Sequence, residues 1–273
     1  MTGVRERPLA ILELLAPHPG GLALHTVADR LDIPRSATHR LLGELRSSGY
    51  VRQDEEGGPY RLTARIASLA FTYLSANGIT DIAQPILDGL AEQAGELARL
   101  AVIDGDRLTW VGKAQGARYG LRYDPDPDTG AEVLLSCTAN GHAWLSCLED
   151  EAALSLVARQ GFAPERRGPG APATVAALLE ALGQTRERGF ALVRDAYEAG
   201  TSAMAAPILP PGGGATCGTV SLAGPSARMT EARMRALAPL LLAAAAELGA
   251  SAGGSPLFAP ALRRVACGVR GAP

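Results

Sequence analysis

Residues 24–45 read LHTVADRLDIPRSATHRLLGEL, and this stretch decides the fold of the N-terminal part of the chain. Its apolar residues recur at three- and four-residue spacing on both sides of Ile33-Pro34, which predicts two short helices that each bury one face. Proline has no N–H to lose in a first helical turn, so Pro34 sets the start of the second helix after a turn at residues 31–33. Small Ala28 allows the two helices to cross closely, as in a helix-turn-helix.

The outward face of the second helix carries hydrogen-bond donors and no carboxylate before Glu44. An α-helix fits the major groove of B-DNA, where arginine bridges guanine and smaller polar side chains reach bases or phosphates. We therefore expect this helix to contact double-stranded DNA. The residues expected at the contact are Arg35, Ser36, Thr38, His39 and Arg40.

Two short strand-like segments follow, at residues 49–52 and 60–62, on either side of a turn-rich stretch. They predict a β-hairpin wing, whose Arg52 and Arg61 join the expected DNA contacts. Residues 5–62 would then form a complete winged helix-turn-helix domain. The alternative interpretation is an αα-hairpin used for protein contacts, which requires both the donor-rich face and the wing to be coincidences.

The composition indicates a globular protein, with 273 residues of which 47% are hydrophobic and 20% charged. A formal net charge of −2 provides no basic field over the whole chain, so DNA affinity must come from a local patch and from dimerisation. Four cysteines without a CxxC pair, and a start unlike a signal peptide, predict a cytoplasmic protein with reduced thiols. The apolar run at residues 237–248 is too short to span a bilayer, so no membrane contact is expected.

The rest of the chain predicts a linker helix and an α+β domain. Residues 63–78 carry an amphipathic pattern whose apolar stripe is a candidate dimer contact. Over residues 79–250, helices alternate with hairpins without βαβ regularity, which indicates one antiparallel sheet. The expected strands are 98–103 with 108–111, 190–193, and 202–209 with 216–222; the expected helices are 82–97, 142–154, 175–188 and 230–248. Residues 251–273 are expected to form a loosely ordered tail.

A cysteine or serine hydrolase is the competing function. Cys137 lies beside Ser136, Asn140 and His142, a set that contains a nucleophile and a base. The chain has no GxSxG nucleophile elbow and no acid at a recognisable spacing, and Ser, Thr and Asn are ordinary caps at a helix start. No catalytic residue is therefore expected. The four histidines stand apart from other ligand types, so no metal site and no cofactor are expected either.

Five segments, in this order and at these separations, resemble the IclR family of transcriptional regulators. They are LDIPRSATHRLLGEL at 31–45, GYVRQDEEGGPYRL at 49–62, SCTANGHAWLSCL at 136–148, GFALVRDAYEAGTSAMAAPI at 189–208 and GTVSLAGPSARMT at 218–230. The resemblance implies a dimer or tetramer that binds a palindromic operator through its winged domains. It also implies a GAF-like C-terminal domain in which a small metabolite shifts DNA affinity, and no catalysis. The resemblance to this family also favours a repressor of a catabolic operon.

The resemblance also implies an effector site. Its expected residues are Ser136, Thr138, Ala139, Asn140, Val193, Ala203, Ser221 and Ala223. Members that bind small keto acids tend to have an acid, a cysteine and a second serine where this chain has Val193, Ala203 and Ala223, and a lysine where it has His142. A site with fewer polar groups solvates a carboxylate poorly. We therefore expect an effector with more apolar or aromatic surface.

Overall fold

The chain divides into two units between Ala76 and Asn77, and each unit has its own hydrophobic core. The computed structural model describes residues 6–125, 129–162 and 167–251. The expected linker, residues 63–78, extends two residues beyond this division, and its helix groups with the N-terminal unit.

The N-terminal unit is a winged helix-turn-helix domain, as the sequence predicts. Its elements are α1 (Arg7–Leu15), α2 (Leu24–Leu31), α3 (Arg35–Ser47), β1 (Val51–Gln53), β2 (Tyr60–Leu62) and α4 (Ala64–Ala76). Pro34 is the residue before the first turn of α3, and Asp32 makes the preceding turn in the left-handed region at φ 51°. The strands β1 and β2 pair antiparallel, with Arg52 opposite Arg61. The three helices bury one common core that includes Ile11, Val27 and Leu42.

The second unit contains one five-stranded antiparallel sheet with strand order β4-β3-β7-β6-β5. Its elements are a π-helical turn (Ile79–Ala83), α5 (Gln84–Ala94), β3 (Leu97–Asp104), β4 (Arg107–Gln115), α6 (Ala139–Leu145), α7 (Asp150–Gln160), α8 (Val175–Arg188), β5 (Ala191–Arg194), β6 (Thr201–Ile208), β7 (Gly218–Pro225) and α9 (Glu231–Ser251). Helices α5 and α9 contact each other and the sheet, and α6 packs on β5, β6 and β7. Every residue of the central strand β7 is buried, as expected where both faces of a sheet are covered.

Two predicted helices have different bounds in the structure. The helix expected at 142–154 is two helices, α6 and α7, because Thr138 caps an earlier start and Glu149 begins a second helix. The helix expected at 82–97 ends at Ala94, where Gly95 adopts φ 68° and leads directly into β3. A glycine reaches this left-handed conformation at little cost, which makes it a common helix terminator.

The terminal helix α9 is longer than the apolar run that the sequence analysis considered. It has 21 residues and is long and apolar enough to cross a membrane by length and composition alone, so the length argument against a span was wrong. The helix packs on β6 and β7 and buries residues that include Met234, Leu241 and Leu248. A core helix of a folded domain meets the same criteria. Beyond Ser251, the expected tail lies outside the described residues.

Candidate DNA-reading surface and effector cavity

The outward face of α3 presents Arg35, Ser36, His39 and Arg40, all of which are exposed. Their spacing of one and four residues places them on one side of the helix. Leu41, Leu42 and Leu45 occupy the other side and are buried in the core of the domain. Four of the five side chains expected on this helix therefore lie together on a surface that a major groove can receive.

Thr38 does not belong to that surface, which corrects the expectation that it contacts DNA. Its side chain is 0% exposed and faces the core. The hydroxyl lies 3.2 Å from the backbone oxygen of Pro34, to which it donates a hydrogen bond. Successive residues of an α-helix are about 100° apart, so Thr38 lies one such step from His39, on the side that faces the neighbouring helices.

Three of the arginines expected to contact DNA are paired with carboxylates. Arg40 Nη1 lies 2.5 Å from Glu44 Oε1, four residues along the helix. On the wing, Arg61 Nη2 lies 3.0 Å and Arg52 Nε 3.4 Å from the carboxylate of Asp54. Exposed ion pairs of this kind contribute little free energy, so phosphate groups of DNA can replace the carboxylates. The ion pairs thus hold the arginine side chains in place, and the arginines can still exchange their carboxylate partners for phosphates.

A cavity lies in the C-terminal unit, between the sheet, the start of α6 and two loops. It encloses about 340 Å³ between its lining atoms, part of it open to solvent. The lining residues are Arg99, Tyr123, Thr138, Ala139, Asn140, Val193, Ala196, Tyr197, Thr201, Ser202, Ala203 and Ala223. Six of the eight expected effector residues are among them. Only about 20 Å³ of the cavity is free for a molecule of the size of water, so a larger ligand has to displace side chains of the lining.

Ser136 and Ser221 are the two expected effector residues that do not line the cavity. Ser136 is 3% exposed, and its backbone oxygen contacts the ring of His142. Ser221 lies on β7 and is fully buried, and its hydroxyl is without a hydrogen-bond partner in the part of the chain that the structure describes. Both serines were expected to hold the effector directly, so the structure corrects their position.

Thr138 and Asn140 line the cavity, but their polar groups hold the protein together. The Thr138 hydroxyl donates to the backbone oxygen of Leu134 at 2.7 Å and accepts a bond from the Gly141 amide at 2.9 Å. The Asn140 side chain donates to the hydroxyl of Thr219 at 2.9 Å, which joins α6 to β7. These bonds position the wall of the cavity. Much of the hydrogen-bonding capacity of Thr138 and Asn140 is therefore already used without a ligand.

Arg99 is a lining residue that the sequence analysis missed. It lies on β3, is 4% exposed, and its guanidinium carbon is 4.3 Å from the centre of the Trp110 ring. The same atom is 5.8 Å from the centre of the Tyr123 ring. The available signal was an arginine within the apolar run at residues 98–103, which was predicted as a strand. Charged residues are rarely buried unless they are paired, so an arginine in a buried strand is unusual.

Two tyrosines on loops complete the cavity, and the sequence analysis missed both. Tyr123 is held through its backbone oxygen, which accepts a bond of 2.9 Å from the Gln115 side chain. Tyr197 packs edge-on against Trp110, with ring centres 6.2 Å apart. Loop residues carry no periodic signal, so their position beside the sheet could not be read from spacing.

The geometry around Cys137 does not form the cysteine–histidine pair of the hydrolase alternative. His142 Nε2 lies 3.0 Å from the backbone oxygen of Ser136, and burial lowers the pKa of this ring. Burial raises the pKa of Cys137 to about 11, against a smaller opposing effect of the Ser136 side chain. A thiol with that pKa is a poor nucleophile at neutral pH. Among the described residues, no group of three His, Cys, Asp or Glu could hold a metal ion.

Comparison with known proteins divides the chain in the same way. The profile described as the IclR helix-turn-helix domain matches residues 6–55, and the profile of the bacterial transcriptional regulator IclR C-terminal domain matches residues 71–250. The HTH-type transcriptional regulator BhcR of Paracoccus denitrificans is 30% identical over 248 residues, which cover 90% of this chain and 86% of that protein. The transcriptional repressor IclR of Escherichia coli is 28% identical over 252 residues, which cover 91% and 89%.

A solved structure has the same fold. It is an IclR homologue from Microbacterium hydrocarbonoxydans in complex with 4-hydroxybenzoate, and it aligns with a TM-score of 0.74 over 93% of this chain and 100% of that chain. The two sequences are 18% identical. At this identity the likeness concerns the fold.

Proposed function

Because this chain belongs to the IclR family of transcriptional regulators, we propose that it represses a catabolic operon and that a small organic effector controls its affinity for the operator. The N-terminal unit is the DNA-binding domain and the C-terminal unit the effector-binding domain. A regulator of this kind works in the cytoplasm, where both its operator and its effector are present.

The observation that carries the proposal is the cavity of the C-terminal unit. Its walls are mainly alanine, valine and tyrosine side chains, with few polar groups that remain available to a ligand. Such a lining favours a flat molecule with apolar or aromatic surface. The Microbacterium homologue in complex with 4-hydroxybenzoate supports an aromatic effector for this chain as well.

DNA recognition is proposed for the exposed face of α3, with the wing on the flanking backbone. Arg35 and Arg40 contribute base or phosphate contacts, and Ser36 and His39 support the register. A single domain offers only a few phosphate contacts, so specific binding requires two copies on a palindromic operator. Helix α4 supports a dimer, because none of its residues is buried within the described chain and its exposed apolar residues include Leu69 and Phe71.

The two sites are proposed to be coupled. If the effector changes operator affinity by some factor, the operator must change effector affinity by the same factor, because both share one thermodynamic cycle.

The test is binding of the purified full chain to DNA from its own upstream region, titrated with salt and with competitor DNA. We expect a sequence-specific complex whose affinity falls steeply with salt, and whose affinity changes when an aromatic acid is added. Arg35→Ala weakens this complex, whereas Arg159→Ala, an exposed arginine on α7, is the matched control and leaves it unchanged. Only weak, sequence-independent binding with and without aromatic acids would instead favour a protein-contact module.

A further inference from the structure

We propose that residues 256–264 bind in a groove between α5 and α9 of the same molecule, on the surface of the C-terminal unit. These residues follow α9 after a link at residues 252–255, and they lie outside the described part of the chain. The groove is separate from the effector cavity, so the inference does not depend on the proposed function.

The groove is open and mainly apolar. It encloses about 760 Å³ between its lining atoms, of which about 400 Å³ is free for a molecule of the size of water. Pro85, Ile86, Leu240 and Ala243 are among the lining residues. At Gly89, which also lines the groove, an added Cβ would meet no atom within 4 Å. The groove can therefore receive large side chains without displacement of its lining.

The exposed face of α9 continues the groove as an apolar surface. Residues 236–246 contain no charged residue over about three helical turns. The exposed positions in this stretch are Ala236, Pro239, Leu242, Ala243 and Ala246. A contiguous apolar surface of this kind on a folded domain is typical of an interaction site.

The segment after α9 has the composition that such a groove requires. Residues 256–262 read PLFAPAL and contain no polar side chain, and Leu257, Phe258 and Leu262 are large enough to fill the free space. Its two prolines restrict the backbone before binding, so ordering the segment costs less entropy. The IclR C-terminal profile ends at residue 250, so this segment is an addition to the domain of the family.

The link at residues 252–255 is long enough for the chain to turn back. Four extended residues span at most about 14 Å, whereas Glu247 at the groove lies only about 6 Å before Ser251 along the helix axis. The link reads AGGS, and its two glycines allow a reversal of direction. Residues 256–262 can then lie along the groove from Glu247 towards Leu240.

The charges of the segment and of the groove are opposite. The segment ends in Arg263 and Arg264, and no acidic residue follows Glu247 in the chain. Glu247 itself lines the groove. Helix α5 carries exposed Asp88 and Glu92 and no basic residue. Complementary charges favour this occupant and fix its register, while the apolar residues provide the contact area.

The test is limited proteolysis of the full chain with trypsin, followed by mass spectrometry. Trypsin cleaves after Arg264 and after Arg270, which lies beyond the bound segment, so the ratio of the two rates in one sample is independent of the enzyme activity. Phe258→Ser removes the largest apolar side chain of the segment. We expect the relative cleavage at Arg264 to be about 10-fold slower in the native protein than in Phe258→Ser, because cleavage requires the released state.

Ala243→Phe fills the groove with a ring from α9 and should expose Arg264 as Phe258→Ser does. Ala232→Phe makes the same change at an exposed position of α9 outside the groove, and this matched control should retain the protection. Circular dichroism reports whether each variant is folded. Gly89→Leu, which also fills the groove, takes the place of Ala243→Phe if that variant does not fold.

Three outcomes overturn the inference. Equal relative cleavage in the native protein and in Phe258→Ser means that the segment is not bound. Protection that persists in folded Ala243→Phe means that the segment binds elsewhere. Protection that is lost on dilution of the native protein means that the groove receives the segment of a second copy.

Discussion

Arg228 binds Glu96 through two parallel hydrogen bonds, although the two residues are 132 positions apart in the chain. Nε and Nη2 of the guanidinium each donate to one oxygen of the carboxylate, and Nη1 donates to the backbone oxygen of Leu121 at 2.7 Å. The hydrogen bonds to Glu96 raise the pKa of Arg228. Gly224 leaves the necessary space, because a Cβ at that position would lie 2.3 Å from the Glu96 carboxylate. The contact joins β3, the turn after β7 and the loop that carries Tyr123.

Loss of this ion pair should destabilise the C-terminal unit. Arg228→Met leaves the Glu96 carboxylate, which is 4% exposed, without its cation. We expect a loss of about 2–3 kcal/mol in the free energy of unfolding, below the range for fully buried pairs because the arginine side chain is 41% exposed. Denaturant unfolding measures the change. The double variant Glu96→Gln with Arg228→Met should recover part of it, and a double variant as unstable as the sum of both single variants would contradict the pairing.

The Arg40–Glu44 pair should limit operator affinity. Glu44→Gln releases Arg40 and removes a negative charge near the DNA, so we expect tighter operator binding at low salt. Arg40→Ala should weaken binding and reduce the slope of log affinity against log salt by about 1 if the arginine contacts a phosphate. Salt-titrated gel shifts of both variants measure these effects. Equal affinities for the native protein and both variants would remove Arg40 from the interface.

Thr38 and Ser36 should affect different properties, although they lie two residues apart. Thr38→Val removes a buried hydrogen bond and keeps the shape, so we expect a loss of about 1 kcal/mol of stability and an unchanged operator affinity. Ser36→Ala on the exposed face should lower operator affinity and leave stability unchanged. Each variant serves as the control for the other in thermal unfolding and gel-shift assays. The opposite outcome would mean that α3 presents its other side to DNA.

His142 should make the protein less stable in mild acid. Burial lowers the pKa of the folded ring, with a further lowering by Arg188, whereas the unfolded residue titrates near its ordinary value of 6.5. Between these two pKa values the unfolded state binds more protons, so stability falls as the pH falls below about 6.5. The slope is at most about 1.4 kcal/mol per pH unit. Unfolding of the native protein and His142→Gln from pH 8 to pH 5 should give curves that converge in acid; parallel curves would refute the assignment.

Helix α4 should hold two copies of the chain together. Leu69 is 60% exposed, and a glutamate at this position would place a charge in the proposed dimer contact. We expect Leu69→Glu to change the mass measured by light scattering from dimer to monomer and to weaken operator binding. Ser75→Glu adds the same charge at an exposed polar position of the helix and should retain the dimer. A monomeric native protein would exclude this role for α4.

Local patterns in the sequence were sufficient to predict the helix-turn-helix, the wing and the paired strands. Pro34 immediately precedes α3, because proline is compatible with a helix start and cannot extend the helix before it. The hairpin of β3 and β4 follows from two apolar runs around a short turn at Asp104–Arg107. These signals act between residues that are close in the chain, so they are complete in the sequence. The six effector residues that line the cavity, by contrast, were predicted from the family resemblance and not from local patterns.

The tertiary structure alone decided which side chains meet. Thr38 is of a residue type that suits a DNA contact, but the packing of α3 against its neighbours places its side chain in the core. Arg99 enters the cavity because β3 lies beside β7 in the sheet, and Ser221 comes opposite it through the same pairing. Glu96 and Arg228 also meet because β3 and β7 are neighbours in the sheet. Contacts between distant parts of the chain depend on strand order and register, which arise when the whole sheet closes around its core and have no local signal.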